Sequence, residues 1–425
     1  MSAVAAILSL GFAALVLLGV PFAFALAICV IGAIAVTGMD PMLLPQTLMA
    51  GTQSFSLLAI PFFMLAGEIM SAGGLSRRLV HVADVFVRHL PGGIGLVAIL
   101  AALIFAAVSG SAPATTAAIG AVMIPAMAER GYSKAYATAL CVSAGVLAPL
   151  IPPSIAFVVW GVIAEQSIAK LFLSGVLPGL LMAAGMAGLV LWHARGQRGG
   201  LVRSPRASLG EIAAALREGV WVLLAPTIVL GGIYLGIFTP TEAAVVACLY
   251  ALFVALCIER SLKLRQLGGS ITRAISTTAM VLAIVGFSQG FGVLVAQEQL
   301  APALTGWLAA HIHTKWLMLA ALNIGFFLLA AVMDEVAIMV ILGPMLIAIA
   351  RQYGVEPIHF GSMVVTNVAI GMAAPPIGYC LFVGMAIAKL KLWEVARAIM
   401  PFVLMMVAVL FLVTYVPGFS LAFVR

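Results

Sequence analysis

Apolar runs long enough to cross a lipid bilayer follow one another along nearly the whole chain. A transmembrane helix needs about 20 apolar residues. Hydrophobic residues make up 64% of the chain and charged residues only 8%, whereas soluble domains carry roughly 25% charged residues. The sequence therefore predicts an all-α polytopic protein that lies within the lipid bilayer. The predicted spans lie near residues 3–19, 21–37, 56–72, 134–168, 172–193, 219–237, 241–258, 276–296, 358–388 and 399–417.

The few polar residues disfavour several classes of function. The sequence contains no G-x-x-x-x-G-K-S/T phosphate loop, which disfavours an ATP-driven pump. The six histidines fall at predicted span ends, so a serine nucleophile in mid-membrane would lack a base, which disfavours an intramembrane enzyme. The five cysteines lie in apolar segments and form no ligand or disulfide pattern. The net charge of +7 is scattered between spans and indicates membrane topology, not nucleic-acid binding.

Two further apolar regions, 92–128 and 316–350, contain polar or charged clusters where an ordinary span would be purely apolar. We predict that both are re-entrant helical hairpins, which enter and leave the membrane on the same side. With the N-terminus outside, 17 of the 21 Lys and Arg residues then face the cytoplasm, as the positive-inside rule requires. If both regions were single spans, the basic segments would fall on both sides of the membrane.

Three short basic segments between the spans, 74–91, 259–275 and 389–398, are amphipathic. We expect them to form interfacial helices on the membrane surface, with simple loops as the alternative. Glu242 follows a proline and a threonine, so we expect it to cap the start of its own helix. The pattern assigns no role to Glu68.

The two halves of the chain repeat one order of features. Residues 1–193 form the first half, 194–218 a basic cytoplasmic linker, and 219–425 the second half. Each half has a hairpin with a polar tip, an isolated proline, a charged segment, and an apolar span that a glycine and a Pro-Pro pair interrupt. On the sidedness above, the first hairpin opens inward and the second outward. An inverted-topology repeat of this kind is typical of secondary transporters, whereas a channel does not need it.

The polar tip of the first hairpin lies in the stretch "VSGSAPATTAAIG". A helix that breaks inside the bilayer frees backbone groups, which are tolerated only where they face protein or a water-filled cavity. Ser109, Gly110 and Ser111 supply a turn and hydroxyl oxygens. The C-terminal ends of broken helices suit a small cation, and the N-terminal ends suit an anion. The pattern therefore predicts a sodium site in each half, with plain helix kinks as the alternative.

The Pro-Pro pairs at 152–153 and 375–376 cannot continue a helix, so each should divide its span into two half-helices. The second hairpin differs from the first because its tip carries Asp334. An ionised carboxylate inside the membrane is costly unless it is paired. Asp334 is therefore a candidate cation ligand, with a helix cap or a solvated loop as the alternative.

Four motifs resemble those of the large membrane subunit of tripartite ATP-independent periplasmic (TRAP) transporters. They are "SGSAPATTAAIGAVMIPAM", "IPPSI", "FTPTEA" and "NVAIGMAAPPIG", and the resemblance covers essentially the whole chain. It implies an elevator-type carrier in the bacterial inner membrane that takes up organic acid anions with sodium. It also implies two partners, a small four-helix membrane subunit and a periplasmic substrate-binding protein. The alternative is a single-chain sodium/carboxylate symporter of related fold that needs no binding protein.

The resemblance further implies at least two Na⁺ sites and no organic cofactor. The first site would comprise Ser109, Gly110, Ser111, Gly145, Pro152 and Ser154. The second would comprise Asp334, Thr366, Gly371 and Ala374, where the family commonly has Thr in place of Ala374. No Arg or Lys is predicted at mid-membrane, so a substrate carboxylate would rest on hydroxyls, amides and helix N-termini. The predicted substrate contacts are Thr115, Thr116, Pro153, Asn367 and Pro376. C4-dicarboxylates, sialic acid, other sugar acids and keto acids all stay open as substrates.

Overall fold

The computed structural model describes residues 2–196, 205–376 and 378–424. All regular structure in these ranges is helical, as the apolar runs predict. Seven of the described helices are long and apolar enough to cross a membrane. The first half contains α1 (Ala3–Ala6), α2 (Phe12–Leu17), α3 (Phe22–Thr37), α4 (Leu43–Thr52), α5 (Ala59–Ala72), α6 (Leu75–Val87), α7 (Gly93–Ser109), α8 (Ala112–Glu129), α9 (Lys134–Gly145), α10 (Ile155–Ala164) and α11 (Ile168–Gly196).

The second half has the same kind of elements. It contains α12 (Leu209–Tyr234), α13 (Pro240–Phe253), α14 (Leu264–Gln297), α15 (Leu300–His311), α16 (Lys315–Ala330), α17 (Glu335–Gln352), α18 (Pro357–Gly371), α19 (Tyr379–Ala388), α20 (Leu392–Tyr415) and α21 (Gly418–Leu421). The predicted linker 194–218 is shorter than expected, because α12 already begins at Leu209 with Ser208 as its cap. Residues 197–204 of that linker lie outside the described ranges.

Both regions predicted as hairpins are pairs of helices joined by a tight turn. Helices α7 and α8 form the first hairpin, and α16 and α17 form the second. Gly110 ends α7 in the left-handed region with a φ of 59°, which lets the chain reverse direction within two residues. We call residues 109–112 the first tip and residues 331–335 the second tip.

Both predicted discontinuous helices are present as well. Helix α9 ends at Gly145 and α10 begins at Ile155, while α18 ends at Gly371 and α19 begins at Tyr379. Each intervening segment holds one Pro-Pro pair, and both pairs have a cis peptide bond. We call residues 146–154 the first break, and residues 372–376 with 378 the second break.

Each hairpin packs against the broken helix of the other half. Helix α8 of the first hairpin contacts α19, and α17 of the second hairpin contacts α10. Each hairpin also packs on the broken helix of its own half, α8 on α9 and both α16 and α17 on α18. Helices α5 and α14 contact one another and lie beside the hairpins, since α5 touches α7 and α8 while α14 touches α17. The tips, the breaks, α5 and α14 therefore surround one region.

Two amphipathic segments are not the separate interfacial helices that we predicted. Residues 259–275 lead into α14, which runs unbroken to Gln297, and residues 389–398 lead into α20. Side-chain oxygens of Gln266 and Glu394 accept hydrogen bonds from backbone N–H groups at 3.0 and 2.9 Å, which starts each long helix at its polar end. Only the first segment, 74–91, forms a helix of its own, α6.

Local capping follows the sequence more closely. The Glu242 carboxylate accepts hydrogen bonds from the backbone N–H and the hydroxyl of Thr239, both at 2.8 Å, and this confirms its predicted role as a cap.

Helices α4 and α15 were not predicted, because they are too short to be recognised as membrane spans.

Single cysteines should report the opposite sidedness of the two halves. In a Cys257→Ser background, which removes the exposed native thiol, we expect Arg206→Cys to react with an impermeant thiol reagent only from the cytoplasm. His313→Cys should react only from the periplasm. Labelling of right-side-out and inverted vesicles measures both reactions. Reaction of both cysteines from the same side would contradict the inverted repeat.

Candidate functional site

The first tip is pressed against the first break. The carbonyl oxygen of Gly110 accepts a hydrogen bond from the backbone N–H of Ile155 at 3.4 Å. A Cβ added to Gly110 would lie 2.5 Å from the carbonyl oxygen of Pro153, so the approach requires glycine. Within the hairpin, the hydroxyl oxygens of Ser109 and Thr115 form a hydrogen bond of 2.7 Å. The tip and the break therefore form one continuous polar surface.

Side-chain hydrogen bonds and a close contact at a glycine stabilise the first break. Ser154 caps α10, because its hydroxyl accepts a hydrogen bond from the Phe157 N–H at 3.3 Å. The same hydroxyl donates to the carbonyl of Pro149 at 2.6 Å. At the end of α9, a Cβ on Gly145 would overlap the hydroxyl of Thr116, so α8 and α9 also meet at a glycine.

The residues predicted for the first Na⁺ site thus share one location. Hydroxyl and carbonyl oxygens, the ligands that hard cations prefer, are concentrated there. Ser109 and Ser111 also line an open cavity. The predicted residues are Ser109, Gly110 and Ser111 at the first tip, Gly145 at the end of α9, and Pro152 and Ser154 in the first break.

The second tip carries two neighbouring carboxylates. Asp334 caps α17, since its Oδ1 accepts a hydrogen bond from the Val336 N–H at 3.0 Å. The helix cap that we kept as an alternative is therefore present, and the carboxylate also lines the open cavity. Glu335 is only 8% exposed, and its Oε2 has no hydrogen-bond partner. An unpartnered oxygen of this kind is costly unless a cation or a proton joins it.

The second break meets the second hairpin at Gly371. A Cβ on Gly371 would lie 2.8 Å from the backbone carbonyl carbon of Ala330, the last residue of α16. Within the break, the N–H of Ala374 donates to the Gly371 carbonyl and the carbonyl of Ala374 accepts from the Gly378 N–H, both at 3.0 Å. The hydroxyl of Thr366 is buried without a partner. Of the residues predicted for the second Na⁺ site, Asp334 lies at the second tip, Ala374 lies in the second break, and Thr366 and Gly371 lie in α18.

Asn367 has a structural role that the sequence did not reveal. Its Nδ2 donates to the backbone carbonyl and to Oδ1 of Asn323 on α16, at 2.9 and 2.8 Å. Asn323 in turn donates to the hydroxyl of Thr414 on α20 at 2.9 Å. This buried chain of hydrogen bonds joins α16, α18 and α20.

A cavity of about 470 Å³ lies between the two tips, with α5 and α14 on its other side. No Lys, Arg or His belongs to its described lining, so its charged side chains are all carboxylates. The arrangement can hold a small polar solute beside both tips at once. Its polar lining residues are Glu68, Ser109, Ser111, Ser276, Thr277, Asp334, Glu335 and Tyr379.

The five predicted substrate contacts do not line this cavity. Thr115 and Thr116 are fully buried inside the first hairpin, and Asn367 is held by Asn323. Pro153 is buried beneath the first tip, and Pro376 is exposed at the second break. Their contact with substrate stays a prediction.

The sequence did not predict an ion pair at the edge of the cavity. Arg273 on α14 donates from Nε to the Glu68 carboxylate on α5 at 2.8 Å. The two residues lie in different halves of the chain, so no local pattern could join them. Their only sequence signal was that Glu68 is a carboxylate within a predicted span.

These features define a multi-pass membrane transporter whose two halves repeat one order of elements. The family model for the tripartite ATP-independent periplasmic transporter, DctM component, matches residues 9–419. The chain belongs to this family, which confirms the resemblance seen in the motifs. It is a large permease subunit of a TRAP transporter.

Relatives agree with this assignment, and a solved structure agrees with the fold. The 2,3-diketo-L-gulonate TRAP transporter large permease protein YiaN of Escherichia coli is 39% identical over 403 residues, which cover 94% of each chain. The isethionate TRAP transporter permease protein DctMQ of Oleidesulfovibrio alaskensis is 38% identical over 97% of this chain, and the match spans 65% of that protein. The crystal structure of the Alcanivorax borkumensis YdaH transporter superposes with a TM-score of 0.64 at 13% identity, covers 88% and 87% of the two chains, and supports the fold.

Glycine at position 145 should be essential for the fit of α8 on α9. We expect Gly145→Ala to lower the free energy of unfolding by about 2 kcal/mol, the usual cost of overpacking a tight contact. The midpoint of thermal unfolding of the purified protein measures this effect. Gly188→Ala is the matched control, because a Cβ at Gly188 meets nothing within 4 Å. Equal midpoints for the two variants would contradict the tight contact.

Proposed function

We propose that this protein carries out sodium-coupled secondary uptake of organic acid anions across the bacterial inner membrane by an elevator mechanism. The observation that carries the proposal is the pair of neighbouring carboxylates, half-buried Asp334 and buried Glu335, on a cavity whose described lining contains no cationic side chain. An anionic substrate there would meet like charges at low dielectric, which strongly opposes binding. A cation bound beside the second tip removes this conflict.

Sodium is the cation that the donor set favours. The tips and breaks offer hydroxyl, carboxylate and carbonyl oxygens, which hard cations prefer. No group of three His, Cys, Asp or Glu side chains that could hold a metal ion occurs in the described ranges, so a transition-metal site has no support there. The buried, unpartnered hydroxyl of Thr366 near the second break fits a ligand that only a cation would complete.

Two sodium ions supply enough free energy for concentrative uptake. Each ion that moves inward across about 100 mV gains roughly 2.3 kcal/mol. A thousandfold gradient of a neutral solute costs about 4 kcal/mol, at roughly 1.4 kcal/mol per tenfold. Negative charge on the substrate reduces this margin, and the sodium gradient itself adds to it.

The packing supports movement of the tips as one unit. The hairpins contact both breaks through glycines, and α8 with α19 and α10 with α17 join the two halves. Helices α5 and α14 form the opposite wall of the cavity. We assign α7–α11 and α16–α21 to the moving unit, and α1–α6 with α12–α15 to the fixed one.

A periplasmic binding protein would deliver the substrate, and a small four-helix membrane subunit would complete the complex. Reconstitution in liposomes tests both requirements. Uptake should need the binding protein, the small subunit and an inward sodium gradient. Thermal-shift screening of the binding protein against organic acids identifies the substrate for this assay. Saturable uptake without the binding protein would favour a single-chain symporter, and uptake without sodium would reject the coupling.

Asp334→Asn should abolish concentrative uptake while the protein stays folded. Asparagine can replace aspartate as a helix cap, so the hydrogen bond to Val336 can persist while the charge is lost. Glu242→Gln is the matched control, because Glu242 also caps a helix and does not line the cavity. Sodium-driven uptake by reconstituted protein measures both variants. Wild-type sodium dependence in Asp334→Asn would exclude a ligand role.

The double variant Ser109→Ala and Ser111→Ala should raise the sodium concentration needed for half-maximal uptake. One contact between a polar group and a charge contributes about 1.5 kcal/mol, which corresponds to roughly tenfold in affinity. We therefore expect a shift of at least about tenfold in a sodium titration of uptake. The matched control is Ser276→Ala, which removes a hydroxyl on the opposite wall of the cavity. An unchanged titration in the double variant would move the sodium site elsewhere.

A further inference from the structure

A second polar cavity, of about 500 Å³, lies beside α8 on the far side of the first tip. Its polar lining comes from the end of α5, the start of α6 and the segment before α14, namely Ser71, Ser76, Arg77 and Ser261. A Cβ on Gly73 would lie 3.2 Å from the Ser261 hydroxyl, so these three segments meet at the turn between α5 and α6.

Arg77 differs from the arginines around it. Arg78 pairs with Glu259, Arg88 with Glu211, and Arg273 with Glu68. No described carboxylate or hydrogen-bond acceptor is paired with Arg77, whose side chain is exposed to the cavity. Its guanidinium is therefore available to an anion, with a forked geometry that suits a carboxylate.

Ser76 is a second group without a partner. It is 6% exposed and lines the same cavity, and its hydroxyl makes no hydrogen bond within the described residues. It lies in the first turn of the 13-residue helix α6, whose N-cap Gly74 offers no side chain to the free N–H groups. A helix N-terminus with free N–H groups attracts negative charge. The unpartnered hydroxyl of Ser76, the guanidinium of Arg77 and the start of α6 thus line one cavity.

This cavity is next to the central one along α8. Ala117 lines both cavities, and Ala121, one helical turn further along, lines only the second. Ala114 of the central cavity and Ala121 are about 10 Å apart along the helix axis, at about 1.5 Å per residue. Helix α8 ends at Glu129, next to a basic segment that the charge distribution places in the cytoplasm. The second cavity therefore lies between the central cavity and the cytoplasm.

We propose that Arg77, Ser76 and the N-terminus of α6 form a release site, which holds the carboxylate of an organic acid on its way from the central cavity to the cytoplasm. The proposal rests on the uptake function above and extends it. The central cavity has no cationic side chain in its described lining and relies on a bound cation, whereas the release site supplies positive charge itself. It therefore binds carboxylate without sodium and can accept the anion after the cation dissociates.

Thiol labelling tests the site without requiring transport. The full-length chain carries Ser261→Cys in a Cys257→Ser background and is reconstituted in vesicles of pure phosphatidylcholine. The rates of reaction with an anionic and a cationic methanethiosulfonate reagent give a ratio that reports local charge. Arg77→Gln should lower the anionic-to-cationic ratio by about tenfold, because the reagents differ by two unit charges. Arg77→Lys should keep the ratio near wild type. Arg217→Gln, which changes another exposed arginine outside the cavity, should leave it unchanged.

Succinate serves as the probe for occupancy, because the groups of the proposed site bind a carboxylate. In potassium buffer without sodium, succinate should slow the reaction of the anionic reagent, and Arg77→Gln or Ser76→Ala should weaken this protection several-fold. The same ratio in wild type and Arg77→Gln, or no protection by succinate, overturns the proposal. Protection by added phosphatidylglycerol with none by succinate would assign the site to a lipid headgroup and also overturn it. Sodium-independent succinate protection in a protein that shows no sodium-driven uptake would reject the coupling and retain an anion site.

Discussion

Backbone polar groups inside a bilayer must find partners within the protein, because the hydrocarbon offers none. This chain interrupts helices at two tips and two breaks, and the structure brings the first tip against the first break and the end of α16 against the end of α18. Gly110 meets the carbonyl of Pro153, and Gly371 meets the end of α16 at Ala330. A Cβ at either glycine would collide with backbone, so the absence of a side chain permits both contacts. The two halves pack into one body because each hairpin also contacts the broken helix of the other half.

The same interruptions place polar groups around a cavity in an otherwise apolar protein. The hydroxyls of the first tip and the carboxylates of the second tip line the same cavity, whose volume is about 470 Å³. The described lining of the cavity is rich in oxygen atoms and lacks cationic side chains. Such a surface favours binding of a cation, and an anion can bind only once the cation is in place. Positively charged side chains lie elsewhere: Arg273 pairs with Glu68 at the edge of the central cavity, and Arg77, which has no partner among the described residues, lies beside the second cavity. Along the proposed direction of uptake, the carboxylates of the central cavity come first and the guanidinium of Arg77 comes next, towards the cytoplasm.

Hydrogen bonds between distant helices fix the second hairpin. Asn367 and Asn323 are the centre of a buried chain that extends to Thr414 on α20. Buried amides are costly without partners and rigid with them, so this network holds α16 and α18 at a set distance. This network explains why the side chain of Asn367 does not line the central cavity.

The sequence by itself determined the helical membrane fold, the two hairpins, the two broken helices and the family. Apolar length, glycine, proline and local caps such as Glu242 act within a few residues, so they can be recognised along the chain. Tertiary structure decided which polar groups line the cavity and which bond to other groups of the protein. Asn367 bonds to Asn323, Glu68 pairs with Arg273, and Arg77 has no described partner because of how helices far apart in the chain pack. Such pairings depend on the angle and depth at which two helices meet, and no local pattern of residues encodes that geometry.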